Sequence, residues 1–310
     1  MQPTLRVQPP AEDRTAGRLL TDATRLLRDA GSPSSRLDAE LLVAHAFGRE
    51  RAWLHAHPDA ALDAADRVRL AGWLERRAAG EPVAYIRGFK EWLSLRVATD
   101  GRALIPRPET ELLAEAAIAE IAERLVRDTE PVAAWEVATG SGAVTLALAV
   151  RFRASLALGR LRLVASDISA EALELAAENL AAHGVGGQVA LGCGDLLEPA
   201  VLPGDTRADL VVANLPYLTP DEIDRGEGSL RYEPRGALDG GPDGLAVVRR
   251  FMEQLPDRLA RGGVALLEVG AGQAEAVRGM VAHGPLAASV GTLTDMAGIE
   301  RVVRIDRAAA

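Results

Sequence analysis

The pattern of apolar and polar residues divides the chain into a helical part and an alternating part. From residue 15 to about residue 79, apolar positions recur three and four residues apart, which predicts amphipathic helices. A polar break at 32–35 separates the first two helices, and Asp63 is a suitable N-cap for a later one. This part of the chain therefore predicts a small all-α unit.

Beyond this unit the pattern changes. Residues 80–97 read as short strands and predict a hairpin, and residues 104–111 lead into a long helix whose first turn contains proline and acidic residues. After about residue 132, short apolar runs alternate with helical patterns. The predicted strands are 133–138, 161–166, 188–191, 210–213 and 263–269, and the predicted helices are 143–151, 170–183, 247–259 and 273–281. This alternation predicts a doubly wound α/β fold with a mostly parallel sheet, in which ligands bind at the carboxyl ends of the strands.

These patterns predict four segments along the chain. Residues 1–14 form a flexible N-terminus, 15–80 a helical domain, 81–104 a linker β-hairpin and 105–310 the α/β domain. The helical domain contains no set of residues suited to catalysis. Its His55 and His57 are two positions apart, which on a helix points them away from each other, so we predict no metal site. Such a domain is suited to recognise a partner or to form an interface.

Composition and charge narrow the function. The 310 residues carry a net charge of −9 and only 4% aromatic residues, which disfavours a nucleic-acid substrate because such binders usually present a basic face. No apolar run is long enough to span a membrane, and the first residues lack the apolar core of a signal peptide. The single cysteine, Cys193, excludes an internal disulfide and fits the cytoplasm. We expect it to be a small buried residue.

The first turn from strand to helix in the α/β part is rich in glycine. Its residues are Ala138, Thr139, Gly140, Ser141 and Gly142. The two glycines allow a tight turn and close approach of a ligand to the backbone. Strand–GxG–helix turns also bind dinucleotides and phosphates, but the third glycine of the dinucleotide fingerprint is replaced by Thr145, and no P-loop lysine follows.

Acidic residues follow the next two predicted strands. Asp167 is placed to bind the hydroxyl groups of a ribose, although it is also suited to cap the helix that follows. Asp195 is placed to accept a hydrogen bond from the amino group of an adenine, and Leu196 to pack against its ring. In isolation, a simple turn role for Asp195 is an equally good interpretation.

The fourth predicted strand ends in Asn214, Leu215, Pro216 and Tyr217. The Asn214 side-chain oxygen and the Leu215 carbonyl can accept both hydrogens of a planar NH2 group, and Tyr217 can cover that group. Methyl transfer to a delocalised nitrogen requires such a clamp, although a strand that ends in a proline turn is the simpler interpretation. Four successive strand ends with ligand-binding residues favour a shared site.

This order of motifs resembles the class I S-adenosylmethionine-dependent methyltransferases. Within that class, the chain closely resembles the peptide chain release factor glutamine N5-methyltransferases over residues 15–305. The segments that carry the resemblance are 36–42, 80–86, 105–111, 232–235, 237–245 and 295–298. The chain departs from the family pattern at Ala138, where glycine is usual, and at Leu215, where proline is usual.

The resemblance implies a seven-stranded methyltransferase sheet and S-adenosylmethionine as the cofactor, with S-adenosylhomocysteine as the product. The loop 138–142, Asp167, Asp195 with Leu196, and Asn214 would hold the cofactor. Asn214, Pro216 and Tyr217 would be the catalytic residues, and 214–217 would bind the glutamine of the Gly-Gly-Gln loop of a release factor. The helical domain would grip that factor.

Three alternatives remain open. An adenine N6-methyltransferase acting on RNA or DNA shares the clamp, but it should have a basic channel and stacking aromatic residues. A non-catalytic binding protein with the same fold predicts loss of the clamp or of the glycine loop, and both are present. An oxidoreductase is disfavoured by the incomplete dinucleotide fingerprint. Glu109 and Glu111 either line the pocket or only complement the start of a helix.

Overall fold

The computed structural model describes residues 15–198, 207–226 and 230–309. Its packing divides the chain into two compact units. The first, the helical unit, comprises Met1–Gly88 and Glu227–Tyr232, and the second, the sheet unit, comprises Phe89–Gly226 and Glu233–Ala310.

The helical unit is built from five helices around one apolar core. They are α1 (Ala16–Asp29), α2 (Ser35–Ala46), α3 (Arg51–Ala56), α4 (Ala64–Ala78) and α5 (Val83–Arg87). Leu27 and Leu42 are fully buried in this core, together with Leu70. Asp63 caps α4 through a hydrogen bond from the Asp66 backbone N–H (2.7 Å), which confirms the predicted cap.

Buried ion pairs explain one of the segments that carried the resemblance. The Glu40 carboxylate accepts hydrogen bonds from Arg36 (2.6 Å) and from Arg51, and Asp38 accepts one from Arg77 (2.8 Å). Both carboxylates are buried, so each arginine offsets a charge that would otherwise lie unpaired in the core. Segment 36–42 therefore contributes paired charges to the interior of the helical unit.

The strand predicted within residues 80–88 is wrong. Val83–Arg87 forms a helix that starts after Pro82 and ends at Gly88, whose φ of 75° is the left-handed conformation common at helix C-termini. The predicted hairpin follows this helix, as β1 (Phe89–Trp92) and β2 (Leu95–Ala98). A helix of only five residues is too short to show a helical period in the sequence. Pro82 before it and Gly88 after it are the signals that distinguish it from a strand.

The sheet unit contains a seven-stranded sheet, which confirms the α/β fold class. The strands are β3 (Val132–Val137), β4 (Leu161–Asp167), β5 (Val189–Cys193), β6 (Ala208–Asn214), β7 (Leu259–Glu268), β8 (Ala288–Thr294) and β9 (Glu300–Arg307). Their order is β5-β4-β3-β6-β7-β9-β8, with β3 to β7 parallel and β9 antiparallel to both of its neighbours. The apolar pattern predicted the five parallel strands and missed β8 and β9.

Helices cover both faces of this sheet. They are α6 (Thr110–Arg127), α7 (Ala143–Arg151), α8 (Arg153–Ala157), α9 (Ala170–Ala182), α10 (Pro220–Arg225), α11 (Ala246–Arg258) and α12 (Ala274–His283). One apolar cluster contains Ile121 and Leu146, and the other contains Phe251 and Val277. The described helices include none that is both long enough and apolar enough to cross a membrane.

Parallel pairing brings several strand ends to one edge of the sheet. Val137 pairs with Ala213, and Asn214 pairs with Glu268, so the ends of β3, β6 and β7 are adjacent. The prediction that Cys193 is buried is wrong: it is exposed, because it ends β5, the strand at the edge of the sheet.

Candidate active site

A cavity of about 290 Å³ lies over the carboxyl ends of the strands. Its position is typical of ligand sites in α/β folds. The cavity brings together all of the predicted site residues except Gly142 and Tyr217. The predicted residues that line it are Ala138, Thr139, Gly140, Ser141, Asp167, Asp195, Leu196, Asn214, Leu215 and Pro216. Neither Glu109 nor Glu111 lines it, whereas Thr110 between them does.

The glycine loop is held by a carboxylate from the neighbouring strand. Asp167 Oδ2 accepts a hydrogen bond from the Gly140 N–H (2.8 Å), and Oδ1 accepts one from the Ser169 N–H (2.9 Å). Burial raises the pKa of Asp167, and these backbone bonds act in the opposite direction. The helix cap is Ser169 rather than Asp167, so the capping interpretation of Asp167 is wrong.

Gly142 and Ala138 both have left-handed backbone conformations, which restrict the residues that fit there. Gly142 has a φ of 77°, and a Cβ atom there would lie 2.9 Å from the Cβ of Ala176. Ala138 has a φ of 56°, which an L-residue adopts at a cost. Glycine at the latter position, as the family pattern has it, would relieve that cost.

Glu136 lies beneath the loop and was not predicted from the sequence. Its carboxyl is buried and accepts hydrogen bonds from the Thr139 hydroxyl (2.8 Å), the Thr145 N–H (2.8 Å) and the Thr145 hydroxyl. Burial raises the pKa of Glu136 to about 7. Its sequence signal was an acidic residue inside an apolar strand, next to the glycine loop.

The third strand end combines a charge and an apolar side chain at the cavity wall. Asp195 forms an ion pair with Arg250 of α11. Leu196 is buried with a φ of 55°, and the following Leu197 N–H donates to the Gln254 side-chain oxygen (2.8 Å). This wall therefore offers a carboxylate and an apolar contact side by side, as an adenine would require.

The Asn214 side chain is held from the start of α6. Its Nδ2 donates a hydrogen bond to Oγ1 of Thr110 (3.1 Å), which leaves Oδ1 as the free acceptor of the amide. Leu215 is buried in the core and Pro216 follows it at the cavity. The first residue of the clamp is thus turned so that an acceptor is available to a ligand.

The backbone of the clamp is packed against segment 237–245. A Cβ atom at Gly240 would lie 2.7 Å from the Pro216 carbonyl oxygen and 2.7 Å from the Cα of Tyr217. The Leu218 N–H donates to the Leu238 carbonyl (2.9 Å), and Gln273 Nε2 donates to the Tyr217 carbonyl (3.1 Å). The glycine-rich motif therefore provides the close packing that fixes the clamp.

Tyr217 lies beside the cavity and does not line it. Burial raises the pKa of its hydroxyl to about 12, with a further increase from Glu268 that Arg107 and Arg301 oppose. The covering role predicted for its ring stays a prediction.

Segment 105–111 forms another wall of the cavity and is held by buried polar groups. The Lys90 ammonium donates to the Pro106 carbonyl (2.6 Å), and the Trp92 indole N–H donates to the Arg107 carbonyl (2.8 Å). Glu233, whose side chain is fully buried, accepts hydrogen bonds from the Ile105 N–H (3.1 Å) and from Arg107 (2.6 Å). These contacts give segments 105–111 and 232–235, which both carried the resemblance, a structural role in this wall of the cavity.

The comparisons with known proteins agree with this geometry. Residues 18–88 match the PrmC N-terminal domain, and residues 134–227 match a methyltransferase domain. The release factor glutamine methyltransferase of Bordetella pertussis is 38% identical over 89% of this chain and 96% of its own length. That of Rhodopirellula baltica is 34% identical over 95% of this chain and 97% of its own length. The chain belongs to the release factor glutamine methyltransferase family.

This membership confirms several predictions. This chain is an enzyme of the predicted methyltransferase class, and its cofactor is S-adenosylmethionine. The catalytic domain of hMettl16, solved in complex with the MAT2A 3'UTR hairpin 6, has the same fold, with a TM-score of 0.50 and 12% identity over 79% of this chain and 82% of that chain.

The residues of this methyltransferase fit that cofactor. The cavity places the buried Asp167 carboxyl beside the glycine loop, where Gly140 has no side chain to obstruct a ligand, and it places Leu196 and Asp195 at the next strand end. Hydroxyl groups, a flat apolar ring and an amino group would each find a suitable partner there. Within the described ranges, no group of histidine, cysteine or acidic residues is arranged to hold a metal ion.

Proposed function

We propose that this enzyme transfers a methyl group from S-adenosylmethionine to the side-chain amide nitrogen (N5) of a glutamine, the one in the Gly-Gly-Gln loop of peptide chain release factors. The observation that carries the proposal is the position of Asn214. It ends β6 at the cavity with its amide nitrogen bound by Thr110, so its oxygen is free to accept a hydrogen bond from a substrate NH2 group.

The cofactor, when bound, supplies a methyl group that is already activated by its sulfonium. The remaining task is to hold a weak nucleophile in line with it, and positioning alone contributes much of the acceleration in such reactions. Asn214 Oδ1 and the Leu215 carbonyl would each accept one hydrogen of the glutamine NH2. Two acceptors draw the hydrogens away and increase the lone-pair density on the nitrogen. Pro216 and Tyr217 would restrict the clamp and shield the amide from water.

The cofactor side would be held by the glycine loop 138–142, with Asp167 on the ribose hydroxyls and Asp195 with Leu196 at the adenine. Asn214 would lie between cofactor and substrate. No strong general base is required, because a methylated amide nitrogen releases its extra proton readily. Each of these site residues would therefore bind or position a ligand, and none would act as a general base.

The helical domain, residues 15–80, would grip the release factor away from its reacting loop. The hairpin in 81–104 would link it to the methyltransferase domain, 105–310. The flexible N-terminus predicted for residues 1–14 lies outside the described part of the chain. Curated relatives bear the name release factor glutamine methyltransferase, which supports a protein partner. We place the enzyme in the cytoplasm, where release factors act.

An adenine N6-methyltransferase acting on nucleic acid is not favoured. A net charge of −9 is unfavourable for binding a phosphate backbone, and the relatives carry the name release factor glutamine methyltransferase.

The experiment compares two substrates with labelled S-adenosylmethionine. Purified enzyme is incubated with a release factor or with structured RNA, and label is counted on each. We expect label on the factor alone, none on a factor whose Gly-Gly-Gln glutamine is replaced by alanine, and a loss of at least about 100-fold in kcat for Asn214→Ala, because a preorganised acceptor is removed. Label on RNA alone would overturn the substrate, and full activity of Asn214→Ala would overturn the clamp.

A further inference from the structure

A buried carboxyl lies behind the clamp. Glu268 is the last residue of β7 and pairs in register with Asn214, the last residue of β6. The residue is 2% exposed, and its carboxyl lies close enough to the Thr110 hydroxyl and the Asn214 amide to interact with both. The Oε2 atom of Glu268 has no hydrogen-bond partner among the described residues.

The orientation of an asparagine amide is decided by its partners, because its oxygen and nitrogen have nearly the same shape. Thr110 alone does not decide it, since a hydroxyl both donates and accepts. A carboxylate only accepts. A Thr110 O–H that donates to the neighbouring Glu268 carboxylate leaves its oxygen to accept from Asn214 Nδ2, which lies 3.1 Å away.

We propose that Glu268, acting through Thr110, is a positioning residue that keeps the Asn214 amide oxygen directed at the substrate NH2 group. This inference rests on the proposed function of the clamp. If Glu268 becomes a hydrogen-bond donor, it donates to Thr110, and the Thr110 hydroxyl then donates to the Asn214 oxygen. The amide turns over, presents its own NH2 to the substrate NH2 and opposes binding in the reactive pose.

The burial of Glu268 supports a role beyond stability. A carboxyl with an unpaired oxygen in the interior costs free energy, and an apolar residue of similar size would avoid that cost. Burial raises the pKa of Glu268 to about 7, with a further increase from Glu109, while Thr110, Arg301 and Asn214 lower it. The Tyr217 hydroxyl also interacts with it. Perturbed carboxyls of this kind concentrate at functional sites.

The test compares Thr110→Val, Thr110→Ser and Glu268→Gln with the wild-type enzyme, with release factor as substrate. Valine keeps the shape of Thr110 and removes the hydroxyl, serine keeps the hydroxyl, and glutamine keeps the shape of Glu268 and adds a donor. We expect kcat to fall by about 30-fold or more in Thr110→Val and Glu268→Gln, at an unchanged KM for S-adenosylmethionine, since a lost transition-state contact lowers kcat. Thr110→Ser should stay within about threefold of wild type.

The pH dependence separates positioning from a merely structural role. Wild-type kcat should fall as the pH drops below about 7, because the protonated carboxyl is a donor, and Glu268→Gln should be low at every pH without this limb. Thermal unfolding and equilibrium dialysis of the cofactor show whether each variant is folded.

Folded, cofactor-binding Thr110→Val and Glu268→Gln enzymes with wild-type kcat would overturn the inference. So would a loss that Thr110→Ser shares equally, or an acidic limb retained by Glu268→Gln. If a variant does not fold, the serine variant and the wild-type pH profile still decide. A wild-type enzyme that does not label the release factor would instead reject the proposed function.

Discussion

The two halves of the site are built in different ways. The glycine loop is held by residues close to it in the chain or on the adjacent strand, such as Asp167, which bonds Gly140 (2.8 Å). The clamp is held by residues far away in sequence: Thr110 is 104 positions before Asn214, and Gln273 is 56 positions after Tyr217. The glycine loop of the cofactor half therefore follows from a local motif, whereas the clamp depends on residues from across the domain.

We expect the largest loss of activity when the packing of segment 237–245 against the clamp is disturbed. A Cβ atom at Gly240 would lie 2.7 Å from the Pro216 carbonyl and from the Tyr217 Cα, so Gly240→Ala must displace the clamp backbone. Since a shift of about 1 Å in a reacting group can cost about 100-fold, we expect kcat to fall by that order. Cofactor affinity should change less than about threefold, because the glycine loop is untouched.

The control for this prediction is Gly187→Ala, since a Cβ atom at Gly187 would meet no atom within 4 Å. It should retain wild-type kcat and cofactor affinity. Equal losses of kcat and of cofactor affinity in Gly240→Ala would contradict the view that the clamp and the glycine loop are held independently. Steady-state kinetics and equilibrium dialysis give the two numbers.

The same division explains what the sequence could predict. The five parallel strands are continuous apolar runs, and the residues at their ends could be read directly from the pattern. Strands β8 and β9 were missed because β8 is largely half-exposed and because Arg304 interrupts the buried residues Val302, Val303 and Ile305 of β9. The exposure of Cys193 followed from its place on the edge strand, which strand order alone reveals.

The sequence analysis missed Thr110 and Glu268 for the same reason. Thr110 and Glu268 act only because the fold brings α6 and β7 to the end of β6. In the sequence, Thr110 was visible only as the neighbour of two glutamates at a helix start, and neither glutamate lines the cavity. Glu268 was visible only as an acidic residue that ends an apolar strand, the same signal that Glu136 gives.

Each half of the site contains a buried carboxyl whose protonation depends on pH, Glu136 in the cofactor half and Glu268 behind the clamp. Burial raises the pKa of both Glu136 and Glu268 to about 7. A raised pKa in the folded state means that the stabilising contribution is complete below about pH 4.5 and is lost as the pH rises through about 7. Each group should thus lower the free energy of unfolding by roughly 3 kcal/mol over that interval.

Glu268→Gln separates the two contributions. Relative to wild type, this variant should gain roughly 3 kcal/mol in unfolding free energy as the pH rises from about 4.5 to about 7, because it has no proton to lose. Glu198→Gln, at an exposed position, should track wild type across the range. Chemical denaturation at a series of pH values measures the difference. A constant difference between wild type and Glu268→Gln would show that Glu268 titrates as it does in the unfolded chain.

The smallest effect concerns the strained residue of the cofactor half. Ala138 has a φ of 56°, a conformation that costs an L-residue about 1–2 kcal/mol and costs glycine almost nothing. The greater flexibility of glycine in the unfolded chain offsets part of that gain, so Ala138→Gly should raise the free energy of unfolding by about 0.5–1 kcal/mol. Ala181→Gly, on the exposed side of α9, should lower it by about 1 kcal/mol instead. Denaturation of the two variants gives the sign directly. A loss of stability in both would mean that the loop is not strained at Ala138, and the cofactor half would then owe its shape to packing from elsewhere, as the clamp does.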